Sequence, residues 1–453
     1  MIKLETVKIK HLKSVNLLLG FLILIVGSSI VFHSTASLYD LITGLQVSDF
    51  SITWPRIRFF IEPLYSFAFY ALTLDKSFYK PVLISWTVWV LSATLICCLL
   101  NKRNVRQTIN NLFYLLMILF TIFSVVALVP IPGPKLEKPE GYIAVDTHSH
   151  TLRSHDNVAP AYISLKAHLW QGFDVFFNTE HNHTKGFAVF SENIKYKTVY
   201  PGMQIQTTDE VSVVLLSLKE FDGKDYEDMT LADIIKKAHE NKMFVIMPHW
   251  WKWRRHTFAN LRDFGIDGFE IYNCGYRNFD KVEQKAMINF AKENNIAMFG
   301  VTDWHGWGYM SDVWTVVKGR ISENIEGQIA KKSNTKVILY RQEQSRSITR
   351  FIFEPFSAFY YYVKNVNFKY LISFMLWIIL VFLILKSSFF KYIKKYLPVV
   401  MSAIFAASAV YFYAIVRTVL DTNTIVMKSI APSLIGFCLL WLILWRSNDK
   451  SGL

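Results

Sequence analysis

Six long apolar runs stand out along the chain, at residues 15–32, 81–100, 112–131, 370–385, 397–416 and 430–445. A helix needs roughly 20 apolar residues, about 17–25, to cross a hydrocarbon core. Four runs reach that length, and aromatic flanks such as Phe368 and Trp445 extend the two shorter ones. One such run is ordinarily a buried core helix; six in one chain point to membrane helices. Between the third and fourth runs the texture changes. Short apolar stretches at 142–145, 175–178, 211–216, 244–247, 269–272 and 298–301 predict strands, and residues 161–170, 231–240 and 281–293 carry helical spacing. Such alternation predicts an α/β fold with a parallel sheet or barrel.

Two further segments, 59–74 and 351–363, resemble each other. Arg58-Phe-Phe-Ile-Glu62-Pro63 matches Arg350-Phe-Ile-Phe-Glu354-Pro355, at an offset of 354 − 62 = 292 residues, and a spanning run follows each. The match suggests a weak internal duplication around the central stretch. Proline after Glu suits the first position of a helix, so both segments are read as interfacial helices on one membrane face. The expected division is then residues 1–131 as an N-terminal membrane region, 132–347 as the polar domain and 348–453 as a C-terminal membrane region. Each membrane region holds about three spans and one interfacial helix.

Composition supports this division. The 453 residues are 52% hydrophobic and only 19% charged, against about 25% charged in soluble domains. The net charge of +14 would suggest nucleic acid until it is located. Residues 132–347 hold 27 Lys+Arg and 27 Asp+Glu, so the flanks hold 49 − 27 = 22 basic and 35 − 27 = 8 acidic residues. All the excess lies in the lipid-like parts, and no nucleic-acid partner is expected. Basic clusters stand before the first span (Lys3, Lys8, Lys10, Lys13), after the second (Lys102, Arg103, Arg106), after the fourth (Lys386, Lys391, Lys394, Lys395) and in the tail (Arg446, Lys450). Six spans put all four on one side, which the positive-inside rule makes cytoplasmic. The polar domain is therefore expected outside the cytoplasm of a cell (inner) membrane. Ser34 and Ala36 would allow cleavage after the first run, but that run is longer than a signal core of about 7–15 residues, so an uncleaved anchor is expected. The four cysteines, Cys97, Cys98, Cys274 and Cys438, make no metal-finger spacing or disulfide framework.

Ten of the twelve histidines lie between His148 and His305. They follow the strands, where α/β folds collect their chemistry. The first strand runs into Asp146-Thr-His148-Ser-His150 and then Ser154-His155-Asp156; the second into Thr179-Glu180-His181-Asn182-His183. Pro248-His249 follows the fourth, and Thr302-Asp303-Trp304-His305 follows the last. In extended chain, residues i and i+2 point the same way, so His148 with His150, and Asp303 with His305, each offer two donors to one point. A lone histidine is ordinarily structural; two such pairs and single histidines after other strands favour a metal site. Imidazole with carboxylate suits zinc, manganese or iron.

In this order the motifs resemble the polymerase and histidinol phosphatase (PHP) family of metal-dependent phosphoesterases. His148-Ser-His150-Thr with His155 looks like the family's first motif. Thr179-Glu180-His181-Asn182 is similar to its second, usually Thr-Asp-His. Pro248-His249 resembles a later one, and Asp303-Trp-His305 the closing one. The resemblance covers residues 141–332. It implies a distorted seven-stranded (βα) barrel, two or three divalent metals (Zn, Mn or Fe) and hydrolysis of a phosphate ester. One departure stands out: the family's Gly-x-Glu, whose Glu bridges metals, is here Gly202-Met203-Gln204. An amide binds through its oxygen but brings no charge; Asp209 or Glu210 close by would substitute.

The expected metal ligands are His148, His150, His155, His181, Glu210, His249, Asp303 and His305, with His148, His150, His181, Asp303 and His305 carrying the chemistry. Lys252, Arg254 and Arg255 follow His249 as phosphate-binding candidates, and Arg254 and Arg255 are the expected substrate contacts. Glu180 is expected to orient a ligand and Glu270, within a strand, either to orient one or to be structural; His168, His183, His239 and His256 are expected to be structural, with His183 the first exception. Tryptophans 250, 251, 253, 304, 307 and 314 form a rim near lipid headgroups or pack the domain. The expected activity is that of a membrane-anchored phosphoesterase on a phosphate ester, a lipid-linked one included, with membrane lipid as a further partner. The alternative is a degenerate metal-binding sensor or scaffold.

Overall fold

The structure is a computed structural model. It describes parts of residues 16–66, residues 76–100, most of 133–319, and 335–340 and 351–387. The strands are β1 (Tyr39–Asp40), β2 (Leu45–Gln46), β3 (Ser51–Thr53), β4 (Lys135–Glu137), β5 (Tyr142–Ser149), β6 (Val175–His181), β7 (Val199–Gln206), β8 (Ser212–Leu216), β9 (Phe244–Met247), β10 (Gly268–Asn273), β11 (Ala297–Val301), β12 (Val313–Lys318) and β13 (Thr335–Leu339). Helices named below are α1 (Lys76–Leu100), α2 (Ala161–Trp170), α3 (Leu231–Glu240), α4 (Phe258–Phe264), α5 (Lys281–Glu293), α6 (Glu354–Asn365) and α7 (Phe368–Lys386).

Eleven strands form one sheet in the order β11-β10-β9-β8-β7-β6-β5-β12-β13-β1-β2. Its middle strands are apolar runs buried on both faces, as five consecutive buried residues in β8 illustrate. On one face the sheet curls around Val145, Phe177, Val214, Ile246 and Phe299, drawn from β5, β6, β8, β9 and β11. The other face takes helices. In α3, Leu231, Ile234, Ile235 and Ala238 recur at helical spacing and are buried, and Thr230 caps the N-terminus by accepting from the Asp233 amide. Asp280 caps α5 in the same way. Helices α2, α3 and α5 occupy the spans that hydrophobic spacing predicts.

Two expectations are corrected. The sheet is mixed: β8 runs antiparallel to both β7 and β9, and β12 antiparallel to β5. Of this sheet the reading from apolar runs missed β1, β2, β7, β12 and β13. Strand β7 carries Pro201, Gly202, Gln204 and Gln206, which break the apolar pattern. Nor is the expected (βα)7 barrel closed by a continuous ladder. The first and last strands of its seven, β5 and β11, meet through a single bridge between Ser149 and Trp304. Buried Asp146 fastens that seam. Its Oδ1 accepts the Thr302 amide (3.1 Å), and its Oδ2 accepts the Thr302 hydroxyl and a His168 ring nitrogen (3.0 Å). The polar domain also takes in chain from before residue 132. Strand β1 pairs with β13, β3 with β4, and buried Asp40 accepts the amides of Ile42 and Val337.

Of the six apolar runs, 112–131, 397–416 and 430–445 lie outside the described residues, as do parts of 15–32; 81–100 and 370–385 fall in α1 and α7. Among the described residues no helix is long and apolar enough to cross a membrane. The two similar segments make matching contacts. The Trp89 indole of α1 donates to the Ile352 carbonyl (2.7 Å), and the Trp377 indole of α7 donates to the Phe60 carbonyl (2.6 Å). Residues 60 and 352 are 292 apart, the offset of the sequence match. Ser85 and Ser373, each four residues before its tryptophan, also donate to Ile352 and Phe59 carbonyls. Each half's helix thus holds the other half's Arg-Phe segment. Arg58 is buried there, paired with Glu62 (2.8 Å) and 4.0 Å from the ring centroids of both Trp54 and Tyr370.

This reciprocity is open to test. With the four native cysteines replaced by serine, Trp89→Cys with Phe356→Cys, and Phe60→Cys with Trp377→Cys, should both be joined by a short bis-maleimide. Joining of one pair without the other would refute the reciprocal packing.

Candidate metal centre

The ligand-type side chains gather at one end of the sheet. His148 ends β5 and His150 follows it; His181 ends β6; Gln204 lies near the end of β7; His249 follows β9; Asp303 and His305 follow β11. Because β8 runs antiparallel, its start, Ser212, lies at the same end and lines the same cavity. Three overlapping sets of donor atoms result: His148, His150 and Asp303; His150, His181 and His305; and His155, Asp156 and His181. Within each set the atoms lie within 4.8 Å of one another.

Each ring is aimed by a partner behind it. Fully buried Glu270, in the middle of β10, accepts the Nδ1 proton of His148 through Oε1 (2.6 Å), and its Oε2 accepts the His249 amide (3.0 Å). That leaves His148 Nε2 facing His150 Nε2 (3.1 Å), Gln204 Oε1 (3.2 Å) and Asp303 Oδ1 (3.4 Å). His150 Nδ1 bonds Ser154 Oγ (3.1 Å), and Ser154 donates to buried Glu180. Its Nε2 stands 3.2 Å from Asp303 Oδ1. His305 Nδ1 donates to the Asp303 carbonyl (2.7 Å), leaving Nε2 3.0 Å from Asp156 Oδ2, while Asp156 Oδ1 is 3.3 Å from His181 Nε2. A carboxylate or carbonyl on one ring nitrogen fixes the tautomer and makes the other a better ligand.

The backbone bends to make this possible. His249 (φ +26°) and Asp303 (φ +44°) both adopt positive φ, which is uncommon outside glycine and clusters at functional sites. Gly275 leaves room beside Asp303, since a Cβ there would lie 2.7 Å from Asp303 Oδ2.

Burial and charge set the protonation states. Burial drives His148 toward neutrality, but Glu270 and Asp303 outweigh it and raise its pKa to about 9. In the metal-free chain His148 is thus an imidazolium that donates to both Glu270 and Gln204 Oε1. Burial lowers His249 to about 3, so neutral His249 accepts the Gln204 amide N–H at Nε2 (3.1 Å). Burial also holds His150 well below its ordinary value. Burial alone would raise Asp303, but His148 and His305 hold it well below the usual carboxylate range. His181 and His305 do the same for Asp156.

The residues present fit a divalent metal. Asp303 Oδ2 is buried without a hydrogen-bond partner, and His181 Nε2, 3.3 Å from Asp156 Oδ1, makes no hydrogen bond either; an unmade bond at a buried polar atom is costly. Lone pairs of imidazole and carboxylate converging in one pocket are the donor set that zinc, manganese or iron takes.

Of the expected ligands, the structure brings together His148, His150, His181, Asp303 and His305. His249 adjoins them across Gln204, and exposed His155 stands at the rim, its ring 4.9 Å from that of His181. Glu210 is not among them, which corrects its expected place in the ligand set. It sits at φ +61° beyond the end of β7, with its side chain 69% exposed and paired with Arg255. Asp209 instead pairs with His256 (2.8 Å). Arg254 and Arg255, expected on substrate, are also corrected. Exposed, they pair with Glu283 (2.5 Å) and Glu210, and neither lines the cavity. Asp156 was missed as a donor; its place after Ser154-His155 in the first motif was the available signal. Of the tryptophans, 251, 304 and 314 are buried and pack the domain, and Trp253 lines the cavity.

No protein-family model matches the chain, and no curated protein does. Among solved structures it is similar to a two-domain protein from Bacteroides vulgatus containing a predicted PHP-like metal-dependent phosphoesterase. Identity is 18% and the TM-score 0.34, over 48% of this chain and 71% of that one. It is also similar to a putative metal-dependent phosphoesterase from Bifidobacterium adolescentis (15%, TM-score 0.31, 38% of this chain and 90% of that one). A third is endonuclease Q in complex with a 27-mer duplex substrate carrying an abasic lesion (12%, TM-score 0.34, 43% and 58%). Likeness at this level leaves the chemistry to the site's own geometry.

A metal must displace the Nε2 proton of His148. Affinity for Zn²⁺ or Mn²⁺ should therefore rise by up to about tenfold per pH unit between pH 7 and about 9, then flatten. By the same sign, the His148 pairing supports the metal-free fold fully below about pH 6.5 and is lost as pH rises through about 9. Glu270→Gln should weaken metal binding by roughly 10–100-fold and flatten that pH slope. An unchanged slope in Glu270→Gln, followed by calorimetry, would refute the role given to Glu270.

Proposed function

We propose that the chain is a membrane-anchored, metal-dependent phosphoesterase whose polar domain lies outside the cytoplasm. The observation that carries the reading is the gathering of His148, His150, His181, Asp303 and His305 into overlapping donor sets, of which His181, Asp303 and His305 line one cavity, with buried His181 Nε2 and Asp303 Oδ2 making no hydrogen bond. The cavity is about 350 Å3, within the size of small-molecule sites, and admits a small phosphate ester, the head of a lipid-linked one included. The polar window is electrically neutral, which speaks against a duplex nucleic acid as substrate.

His148, His150 and Asp303 would hold one divalent ion, and His181, His305 and Asp156 would extend the site toward the cavity. Such ions supply Lewis-acid polarisation of a phosphoryl oxygen and acidify a water to serve as nucleophile. The chain's own residues do the rest. Glu270 and the Glu180–Ser154 pair keep the imidazole nitrogens pointed inward. Asp156, 3.3 Å from His181 Nε2 and 3.0 Å from His305 Nε2, stabilises the imidazolium form of whichever of these rings is not holding metal; that ring would give its Nε2 proton to the leaving oxygen and become neutral.

A second reading, a metal-binding domain without turnover, draws on Gln204. The amide stands between His148 and His249, where a carboxylate would bring charge, and it occupies the His249 Nε2 lone pair.

Release of nitrophenol from p-nitrophenyl phosphate by the purified full chain should require Mn²⁺ or Zn²⁺. It should fall by more than about a hundredfold in Asp303→Ala with His305→Ala, since even residues behind the ligands cost about 10–100-fold. Tight metal binding with no turnover of mono- or diesters would favour the second reading, and turnover unaffected by chelation would sink the first.

The topology rests on the four basic clusters. A reporter active only outside the cytoplasm, fused after residue 332, should be active. Activity of a cytoplasm-only reporter at that point would reverse the assignment.

A further inference from the structure

Among the described residues that line the cavity, one is a lysine or arginine. Lys252, Trp253 and Tyr276 line it together. Lys252 Nζ is 3.2 Å from the Tyr276 hydroxyl and 4.5 Å from the ring centroids of both Trp253 and Tyr276. This wall is tied to the ligand cluster through one carboxylate. Glu270, which holds His148 and the His249 amide, also accepts from Asn273 Nδ2 (2.9 Å), and Asn273 Oδ1 accepts the Tyr276 amide (2.8 Å). The Tyr276 ring in turn lies 4.9 Å from that of His249. Tyr276, against which the ammonium rests, is therefore held to the ligand cluster. Trp253 adds a buried indole N–H with no acceptor. The neighbouring arginines are committed elsewhere, Arg254 to Glu283 and Arg255 to Glu210.

Resting on the phosphoesterase reading, we propose that Lys252, flanked by Trp253 and Tyr276, anchors the free phosphoryl oxygens of a phosphate monoester and so sets the site's substrate class. A monoester carries about −1.5 to −2 charge near neutral pH, and a diester carries one negative charge. The cavity's own carboxylates, Asp156 and Asp303, repel both. Only the monoester has a second anionic oxygen for a cation on the cavity wall to take. The two aromatic rings hold the ammonium in place.

The test uses the full chain loaded with Mn²⁺. Lys252→Gln and Lys252→Arg are compared with the native protein on p-nitrophenyl phosphate and bis(p-nitrophenyl) phosphate, and by calorimetry with inorganic phosphate. Lys252→Gln should raise KM for the monoester and Kd for phosphate by roughly tenfold, with kcat largely kept, and should raise KM for the diester less than about threefold. Lys252→Arg should retain most of the native values, and metal content should be unchanged in both. An equal effect on the two esters, or phosphate binding indifferent to Lys252, overturns the anchor. If the native chain hydrolyses neither ester while phosphate binding still depends on Lys252, the anchor stands and the catalytic reading fails. If the native chain hydrolyses the esters and Lys252→Gln changes neither KM nor Kd, the catalytic reading stands and the anchor fails.

Discussion

The carboxylate of Glu270 is the constraint from which the rest of the site is built. It lies in the middle of β10 with no exposure to solvent, and a charge taken out of water there is costly unless it is paired and hydrogen-bonded. Three groups meet that demand: the His148 ring, the His249 amide and the Asn273 side chain. Each in turn acquires a fixed position. His148 must point Nε2 into the site, the chain after β9 must turn at His249 with positive φ, and Asn273 must set the loop that carries Tyr276. One buried charge thus aims a ligand, bends a loop and places one wall of the cavity.

Two other buried carboxylates act in the same way at other edges. Asp146 joins β5 to the chain after β11, so that His148 and Asp303 come from strands at opposite ends of a seven-strand run. Glu180 accepts from Thr151, Ser154 and Asn178 and so holds the loop after β5 against β6. These acids stand behind the ligands and make the imidazole geometry stiff, which a metal site with little tolerance for misplacement requires. Gln204 departs from this pattern. As an amide it can bond a protonated His148 and a neutral His249 at once, which suits the metal-free cluster and leaves the centre one negative charge poorer.

Outside the polar domain the organising contacts are of another kind. Indole and hydroxyl donors from α1 and α7 satisfy backbone carbonyls of the opposite half's Arg-Phe segment, and Arg58 with Glu62 lies buried between aromatic rings. Apolar side chains such as Ile84, Val88, Leu95, Leu376 and Leu380 remain exposed on the same helices. Exposed apolar surface of that extent marks an interaction surface.

How much was legible in the sequence differs by element. Period and capping are local, so α2, α3 and α5 could be read from spacing alone, as could the placement of His148, His150, Asp303 and His305 at strand ends. The i and i+2 relation needs no tertiary information. Strand β7 could not be read, because its apolar pattern is interrupted by the residues that face the site. Charge pairing was equally out of reach: Arg254, Arg255 and Glu210 look available in sequence, and only the fold brings Glu283 and the Glu210 turn against those arginines. Asp156 became a donor because the loop after β5 folds back over His181 and His305, and Lys252 became the cavity's cation because the fold sets it on the cavity wall against Trp253 and Tyr276. Ligand types and their order are local properties of the chain; which charges are spent on each other depends on distances across the sheet, and those exist only once it has curled.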